Sequence, residues 1–255
     1  MKSWIKIGVG CFFLYIAFLI ATIPANFVIS KVKLPANVAL GNVSGTLWQG
    51  KLDTLTVDGI LLKNVGWSIA LPKLLSGEVG ADFKFGSSRK ILEPFGQGYA
   101  YFAGAQNIGL ANTQLSIPAD IAMPKLKQIR GNMVESLQGI VKADIQAASI
   151  GKPYCTELAG KVNWQQSALG VMGGQFSLGD LNVDLACDKG NLLASVKGDD
   201  KTLLLDLKAE LKDKNQTKVD GFVKAGPSAD AMLMNAMTFL GKADSQGRYK
   251  IKFGR

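Results

Sequence analysis

Residues 203–212, Leu-Leu-Leu-Asp-Leu-Lys-Ala-Glu-Leu-Lys, alternate apolar and charged side chains from Leu205 onward. Successive side chains of a β-strand point to opposite faces of its sheet, so this segment has one apolar face and one charged face. Turn-forming residues bound it on both sides, at Asp199-Asp200 and at 213–215. The segment is therefore predicted to be a half-buried strand of an antiparallel sheet. Adjacent carboxylates inside a turn are common, so Asp199-Asp200 is not interpreted as a catalytic pair.

The same period of two recurs along much of the chain. It covers segments 54–58, 65–71, 79–85, 141–147, 181–187 and 249–253. Asp58-Gly59 is the strongest signal for a tight hairpin turn. Near the C-terminus the apolar residues between Met232 and Leu240 follow helical spacing, with Ser228 as the predicted N-cap and Gly241 as the end of the helix.

Two parts of the chain resemble each other at a constant offset. Leu62, Asn64, Trp67, Ile69 and Ala70 align with Leu178, Asp180, Val183, Leu185 and Ala186. An internal repeat would produce stacked antiparallel hairpins in one extended, curved sheet, whereas chance and shared strand alternation are the alternative. Segment 119–137 contains prolines and glycines that favour a connection, and it divides the β-rich part into two halves, 41–118 and 139–255.

The N-terminal segment has the composition of a membrane span. No charged side chain occurs from Ile7 to Ser30, and Lys2 and Lys6 precede this run. A spanning helix needs roughly 20 apolar residues to cross about 30 Å of hydrocarbon. We expect a cytoplasmic tail at 1–6, a transmembrane helix at 7–23, a stalk at 24–40 and a β-rich periplasmic domain at 41–255. A cleaved secretory signal and a buried helix of a soluble domain are the alternatives.

Composition excludes several classes of function. The chain of 255 residues contains no histidine, which removes Ser-His and Cys-His catalysis and most familiar zinc sites. Its net charge is +9, but the lysines are scattered and do not cluster beside aromatic side chains as in nucleic-acid-binding proteins. Gly241-Lys242 lacks the remaining residues of a phosphate-binding loop. We therefore predict no catalytic, cofactor-binding or metal-binding residue, no nucleic-acid partner, and no enzymatic activity.

The three cysteines occupy different parts of the chain. Cys11 lies in the predicted anchor, whereas Cys155 and Cys187 lie in the exported part, where an oxidising compartment favours a disulfide between them. The alternation places Cys187 on the apolar face of its strand, where a buried disulfide would lie. Two separate buried thiols, or a reactive or metal-binding pair, are the other interpretations.

Several segments together resemble a known family, the N component of the bacterial type II secretion system. They are Val43-Ser-Gly-Thr-Leu-Trp-Gln-Gly50, Leu62-Lys-Asn-Val-Gly-Trp67, Leu74-Leu-Ser-Gly-Glu-Val79, Gly226-Pro-Ser, Phe239-Leu-Gly241 and Gly247-Arg-Tyr249. The resemblance implies an inner-membrane protein with a periplasmic domain, in the machine that exports folded proteins across the outer membrane. It carries over no catalytic or metal-binding residue.

Two functions follow as expectations. The first is a non-catalytic component of the secretion system that contacts inner-membrane platform subunits, with the basic final strand, Arg248, Lys250 and Lys252, as a docking surface. The second is suggested by the similarity of the Gly-Thr-Leu-Trp segment to groove-forming β-proteins, which bind or carry lipid or another apolar ligand. The predicted fold for both is mainly β: an N-terminal transmembrane helix, an extended curved antiparallel sheet, and one short C-terminal helix.

Overall fold

The computed structural model describes residues 2–74, 76–104, 108–130, 134–171, 173–213 and 216–254. The chain forms two compact units, one that ends at Gly86 and one that begins at Ser87. The two halves predicted for the β-rich part, 41–118 and 139–255, stay a prediction. Antiparallel strands make up most of the second unit and form the sheet of the first, so the prediction of a mainly β protein with antiparallel pairing is confirmed.

The first unit combines a long N-terminal helix with a small sheet. Its helices are α1 (Lys2–Ala21), α2 (Ala25–Ile29) and α3 (Leu71–Leu74). Its strands are β1 (Val38–Leu40), β2 (Val43–Gly45), β3 (Gln49–Val57), β4 (Ile60–Ile69) and β5 (Val79–Phe85). The strand order is β1-β3-β4-β5, and β2 pairs with the part of β3 that β1 leaves open.

Asp58-Gly59 forms the two-residue turn between β3 and β4, as predicted. Val57 and Ile60 pair directly across the hairpin, and the φ angles of Asp58 and Gly59 are 51° and 83°. Positive φ at both central residues is the geometry whose twist matches that of the two flanking strands, and glycine adopts it without a steric cost. The dipeptide therefore fixes the register of the β3–β4 hairpin.

The second unit is a meander of long strands. Its strands are β6 (Phe95–Phe102), β7 (Ile108–Pro118), β8 (Val134–Ile150), β9 (Cys155–Val171), β10 (Gly174–Asp188), β11 (Asn191–Lys197), β12 (Leu203–Asp213), β13 (Gln216–Ala225) and β14 (Tyr249–Phe253). Each strand from β6 to β14 pairs with its neighbour in the chain, so the spatial order is the sequence order. Between β7 and β8 lie a 3-10 helix (Ala119–Ala122) and α4 (Met123–Arg130), in the segment that was predicted to be mostly connection with room for one helical turn.

A row of mostly charged side chains crosses one face of the strands in the second unit. Lys161 on β9 lies between Asp144 on β8 and Asp184 on β10. The row continues on β11 to β14 through Ser195, Lys208, Asp220 and Lys252. Opposite charges directly across a strand pair contribute about 0.2–1 kcal/mol each. The opposite face carries apolar rows, for example Val162, Val183, Val196 and Leu207.

The C-terminal helix α5 (Ala231–Thr238) covers one end of the apolar face. Leu233 and Met237 of the helix pack with Leu181, Leu203 and Val223 from three strands into a buried cluster. Full burial of one such side chain contributes roughly 1.5–3 kcal/mol. The helix therefore seals this end of the sheet, which confirms the predicted short C-terminal helix.

The predicted N-cap of α5 was wrong. Asp230, and not Ser228, caps the helix, because its carboxylate accepts the Leu233 N–H at 2.6 Å. The Ser228 N–H donates instead to the Lys201 carbonyl at 2.9 Å. That bond ties residue 228 to the loop before β12, so the helix starts after it.

The predicted membrane segment 7–23 lies largely within α1, and the predicted stalk 24–40 contains α2 and β1. Judged on the residues that the structure describes, no helix is both long enough and apolar enough to span a bilayer.

Candidate functional site

Cys155 and Cys187 form the predicted disulfide. The Sγ–Sγ distance is 2.06 Å and the Cα atoms lie 6.2 Å apart. Cys155 begins β9 and is buried, whereas Cys187 lies near the end of β10. The Tyr154 N–H also donates to the Gly190 carbonyl at 3.1 Å. The bridge therefore joins the start of β9 to the end of β10, beside the turn that leads to β11. Cys11 is a free thiol on α1.

The three basic residues predicted for docking lie at and before β14, but they have different surroundings. Lys250 and Lys252 are exposed on β14, across from Phe222 and Asp220 of β13. Arg248 precedes the strand, and its Nε donates to the Asp244 carboxylate at 2.8 Å. Its guanidinium also lies 4.9 Å from the centre of the Phe222 ring. Arg248 is thus held by its own unit, whereas Lys250 and Lys252 extend into solvent.

Asp244 organises the turn before β14. Its carboxylate accepts the backbone N–H groups of Gln246 and Arg248, each at 2.9 Å, in addition to the Arg248 side chain. The hydrogen bond from the Arg248 N–H is the main cause that lowers the pKa of Asp244. The ionised carboxylate therefore fixes the entry into β14 and the direction of Arg248.

Asp199 has a comparable structural role at the start of β12. Its Oδ1 accepts the backbone N–H groups of Lys201, Thr202 and Leu203 at 3.0, 2.8 and 3.3 Å. Partial burial raises the pKa of this carboxyl, but backbone hydrogen bonds from Thr202, Leu203, Asp180 and Lys201 outweigh it, and the net shift is downward. These hydrogen bonds fix the backbone at the entry into β12.

The turn at Thr46–Trp48 holds the carboxyl end of α1, a role that the sequence analysis missed. The Trp48 indole N–H donates to the Ile20 carbonyl at 2.8 Å, and the Leu47 N–H donates to the Ile23 carbonyl at 2.9 Å. The Trp67 indole N–H on β4 in turn donates to the Leu47 carbonyl at 2.9 Å. Two tryptophans therefore connect the last turn of α1 to the sheet of the first unit.

Gly50 makes this arrangement possible. It pairs with Trp67 across β3 and β4, and a β-carbon at position 50 would collide with the Trp67 ring. Only glycine lets the indole lie flat against β3 with its N–H directed at Leu47. The sequence signal for this site was Trp48 and Gly50 of the Gly-Thr-Leu-Trp-Gln-Gly segment, together with Trp67, although only the fold shows what they contact.

The surface of α1 is apolar and uncovered within the first unit. Phe12, Phe13, Leu14 and Phe18 are all more than half exposed, with 72% for Leu14 and 66% for Phe18. Contiguous exposed apolar surface of this kind marks contact with a membrane or a protein partner.

No group of three or more His, Cys, Asp or Glu residues in the described ranges is placed to bind a metal ion.

A family model for type II secretion system (T2SS), protein N, matches residues 36–252. This range contains all of the segments that carried the resemblance, from Val43–Gly50 to Gly247–Tyr249. The chain belongs to the type II secretion system protein N family. Family membership identifies it as a component of a secretion system.

Similar proteins of this family occur in several bacteria. The chain is 28% identical over 254 residues to type II secretion system protein N of Aeromonas hydrophila, with 99% of this chain and 98% of that protein covered. It is 27% identical to the protein N of Vibrio cholerae serotype O1, with 89% and 88% covered. It is 26% identical to that of Pectobacterium carotovorum subsp. carotovorum, with 99% and 97% covered. No solved structure matches the chain at a significant level.

Proposed function

We propose that this member of the protein N family is a non-catalytic, single-pass component of the inner membrane, which supports the export of folded proteins from the periplasm across the outer membrane. Its α1 helix is the membrane anchor, its N-terminus is cytoplasmic, and its β-rich remainder is periplasmic. The observation that carries the proposal is the family match over residues 36–252.

Two features of the chain support the membrane part of the proposal. The side chains of α1 from Ile7 to Phe18 present an almost continuous apolar surface that water would solvate poorly. Lys2 and Lys6 at its start favour a cytoplasmic N-terminus. The Cys155–Cys187 disulfide also fits an oxidising compartment such as the periplasm for the second unit.

The exposed lysines of β14 are the proposed docking surface for inner-membrane platform subunits. β14 is last in the strand order of the second unit, and an exposed strand edge accepts an added strand from a partner. Lys250 and Lys252 would attract acidic side chains on that partner. Arg248 contributes by shaping the turn, since Asp244 already holds its guanidinium.

Deletion of the gene followed by mass spectrometry of secreted and periplasmic proteins tests the proposal. We expect exported proteins to accumulate in the periplasm of the deletion strain, and the intact gene to restore their export. Proximity labelling from the second unit should mark platform subunits. Unchanged export together with no labelling of those subunits would overturn the proposed function.

A charge-reversal variant tests the docking surface separately. Lys250→Glu/Lys252→Glu should lose crosslinks to platform subunits, because repulsion replaces attraction. Lys197→Glu/Lys208→Glu is the matched control, since both lysines are exposed on other strands of the same unit. If the two variants crosslink equally well, β14 is not the docking surface.

The half-buried apolar row Val162, Val183, Val196 and Leu207 favours a second candidate function, the binding of lipid or another apolar ligand. A cleft of about 730 Å³ in the same unit is lined by apolar side chains, among them Ile91, Phe95 and Leu115, together with polar ones such as Gln114 and Asp144. Native mass spectrometry of the purified protein distinguishes the two functions. A bound apolar molecule, and altered outer-membrane lipid with normal export in the deletion strain, would favour the carrier.

A further inference from the structure

A second apolar surface directly follows α1, in residues 24–34, which we call the collar. Within the collar, α2 packs against β2, and Ala25 is only 1% exposed. Phe27 is 63% exposed, and Val32 and Leu34 beyond the helix are 54% and 42% exposed. One side of the collar thus packs against β2, and the other side exposes the three apolar side chains Phe27, Val32 and Leu34.

The position of the collar relative to α1 is fixed. The bonds from Trp48 to Ile20 and from Leu47 to Ile23 hold the end of the helix, and Pro24 forms a bridge with Thr46. The exposed side chains of the collar therefore lie next to the carboxyl end of α1. If α1 spans a bilayer, this end is where the hydrocarbon gives way to head groups.

The charge of the collar is uniformly positive. Lys31 and Lys33 are exposed and alternate with Val32 and Leu34, and the sequence has no acidic residue before Asp53. Neither lysine forms an ion pair with any residue that the structure describes. Lysines beside exposed apolar side chains form the pattern by which interfacial segments bind anionic lipid, since the apolar groups enter the acyl boundary and the ammonium groups contact phosphate.

We propose that the collar is a binding surface for anionic phospholipid, in which Phe27, Val32 and Leu34 enter the head-group boundary and Lys31 and Lys33 contact lipid phosphates. This inference rests on the proposed insertion of α1 into the membrane. A neutral apolar protein surface would fit the exposed side chains alone but would leave both lysines without counter-charges, so charge complementarity favours lipid.

The test uses the full-length protein reconstituted into phosphatidylcholine vesicles that contain 20% phosphatidylglycerol. Traces of photoactivatable phosphatidylglycerol or phosphatidylcholine are added in separate samples, and crosslinked peptides are identified by mass spectrometry. One lysine near an anionic surface contributes about a fivefold preference. We expect phosphatidylglycerol to label the collar at least about fivefold more than phosphatidylcholine, with the preference decreasing at high salt.

Lys31→Gln/Lys33→Gln should lose most of this preference, whereas the matched control Lys51→Gln/Lys84→Gln should keep it, because those exposed lysines lie on β3 and β5. Equal labelling of the collar by both lipids, or a preference unchanged in the Lys31/Lys33 variant, would overturn the collar proposal. Labelling of α1 by both lipids reports its insertion independently. If α1 is labelled and the collar is not, the collar proposal alone fails; if α1 is unlabelled, the anchor fails as well.

Discussion

Loss of the Cys155–Cys187 bridge should destabilise the second unit strongly. The two cysteines are 32 positions apart in the chain. In the chain-entropy model, a crosslink that closes a loop of this length raises the free energy of unfolding by about 3.7 kcal/mol at 25 °C. A small domain has only about 5–15 kcal/mol of stability in total. Reduction should therefore remove a large fraction of the stability of this unit.

Urea-induced unfolding of the detergent-solubilised full-length protein measures this effect. Wild type without reductant, wild type with reductant and Cys155→Ala/Cys187→Ala are compared by tryptophan fluorescence. The double variant also loses two sulfur atoms from a buried site, since Cys155 is only 6% exposed, so it should be somewhat less stable than the reduced wild type. Cys11→Ala is the control and should behave as wild type in both conditions.

Agreement of oxidised and reduced wild type to within about 1 kcal/mol would refute this reasoning. The reduced loop would then be restrained by other contacts, such as the Tyr154–Gly190 hydrogen bond, in the unfolded as well as the folded chain.

Three further predictions concern single side chains. Asp199→Asn should lower the free energy of unfolding by about 1–3 kcal/mol at pH 7. Because the pKa of Asp199 in the folded protein lies below the ordinary 3.8, the advantage of the wild type is present above pH 4 and is lost as the pH falls through the folded pKa. Urea titrations of both proteins should therefore show a smaller difference at pH 3 than at pH 7. Asp230→Ala should cost about 1 kcal/mol in the same assay, whereas Ser228→Ala should be neutral, and equal effects would contradict the assigned cap. Trp48→Phe should broaden the distances between spin labels on α1 and β4, and an unchanged distribution would show that the indole bond does not hold the helix.

The strands could be predicted from the sequence, because alternation with a period of two indicates a sheet with one apolar face. Residues 203–212 show this clearly, since Leu203 belongs to the buried cluster under α5 and Leu205 packs against it. The same alternation put Cys187 on the apolar side of its strand, which favoured the observed disulfide. Alternation assigns a side chain to a face but not to a neighbour, so the row through Asp144, Lys161 and Asp184 required the register.

The hydrogen bonds of Trp48, Ser228 and Arg248 could not be predicted from the sequence, because they connect residues that are distant in the chain or depend on tertiary contacts. The Trp48 indole bonds to a carbonyl in α1, a contact that no local pattern reveals. Ser228 has the chemistry of an N-cap, but its backbone is held by Lys201, and so the helix starts later. Arg248 was predicted as part of a docking surface because of its charge, and the structure shows that Asp244 and Phe222 engage it.

The meander order of the second unit affects how the chain can fold while it is still emerging. From β7 to β14, every described strand pairs with the strand that precedes it in the chain. A chain that emerges gradually, as the proposed periplasmic location would require, can therefore add each strand to the growing edge as soon as it appears, without waiting for later residues. Only the bridge between Cys155 and Cys187 and the closure by α5 must follow. The strands of this unit can therefore fold in order, from β6 towards β14, while the chain emerges.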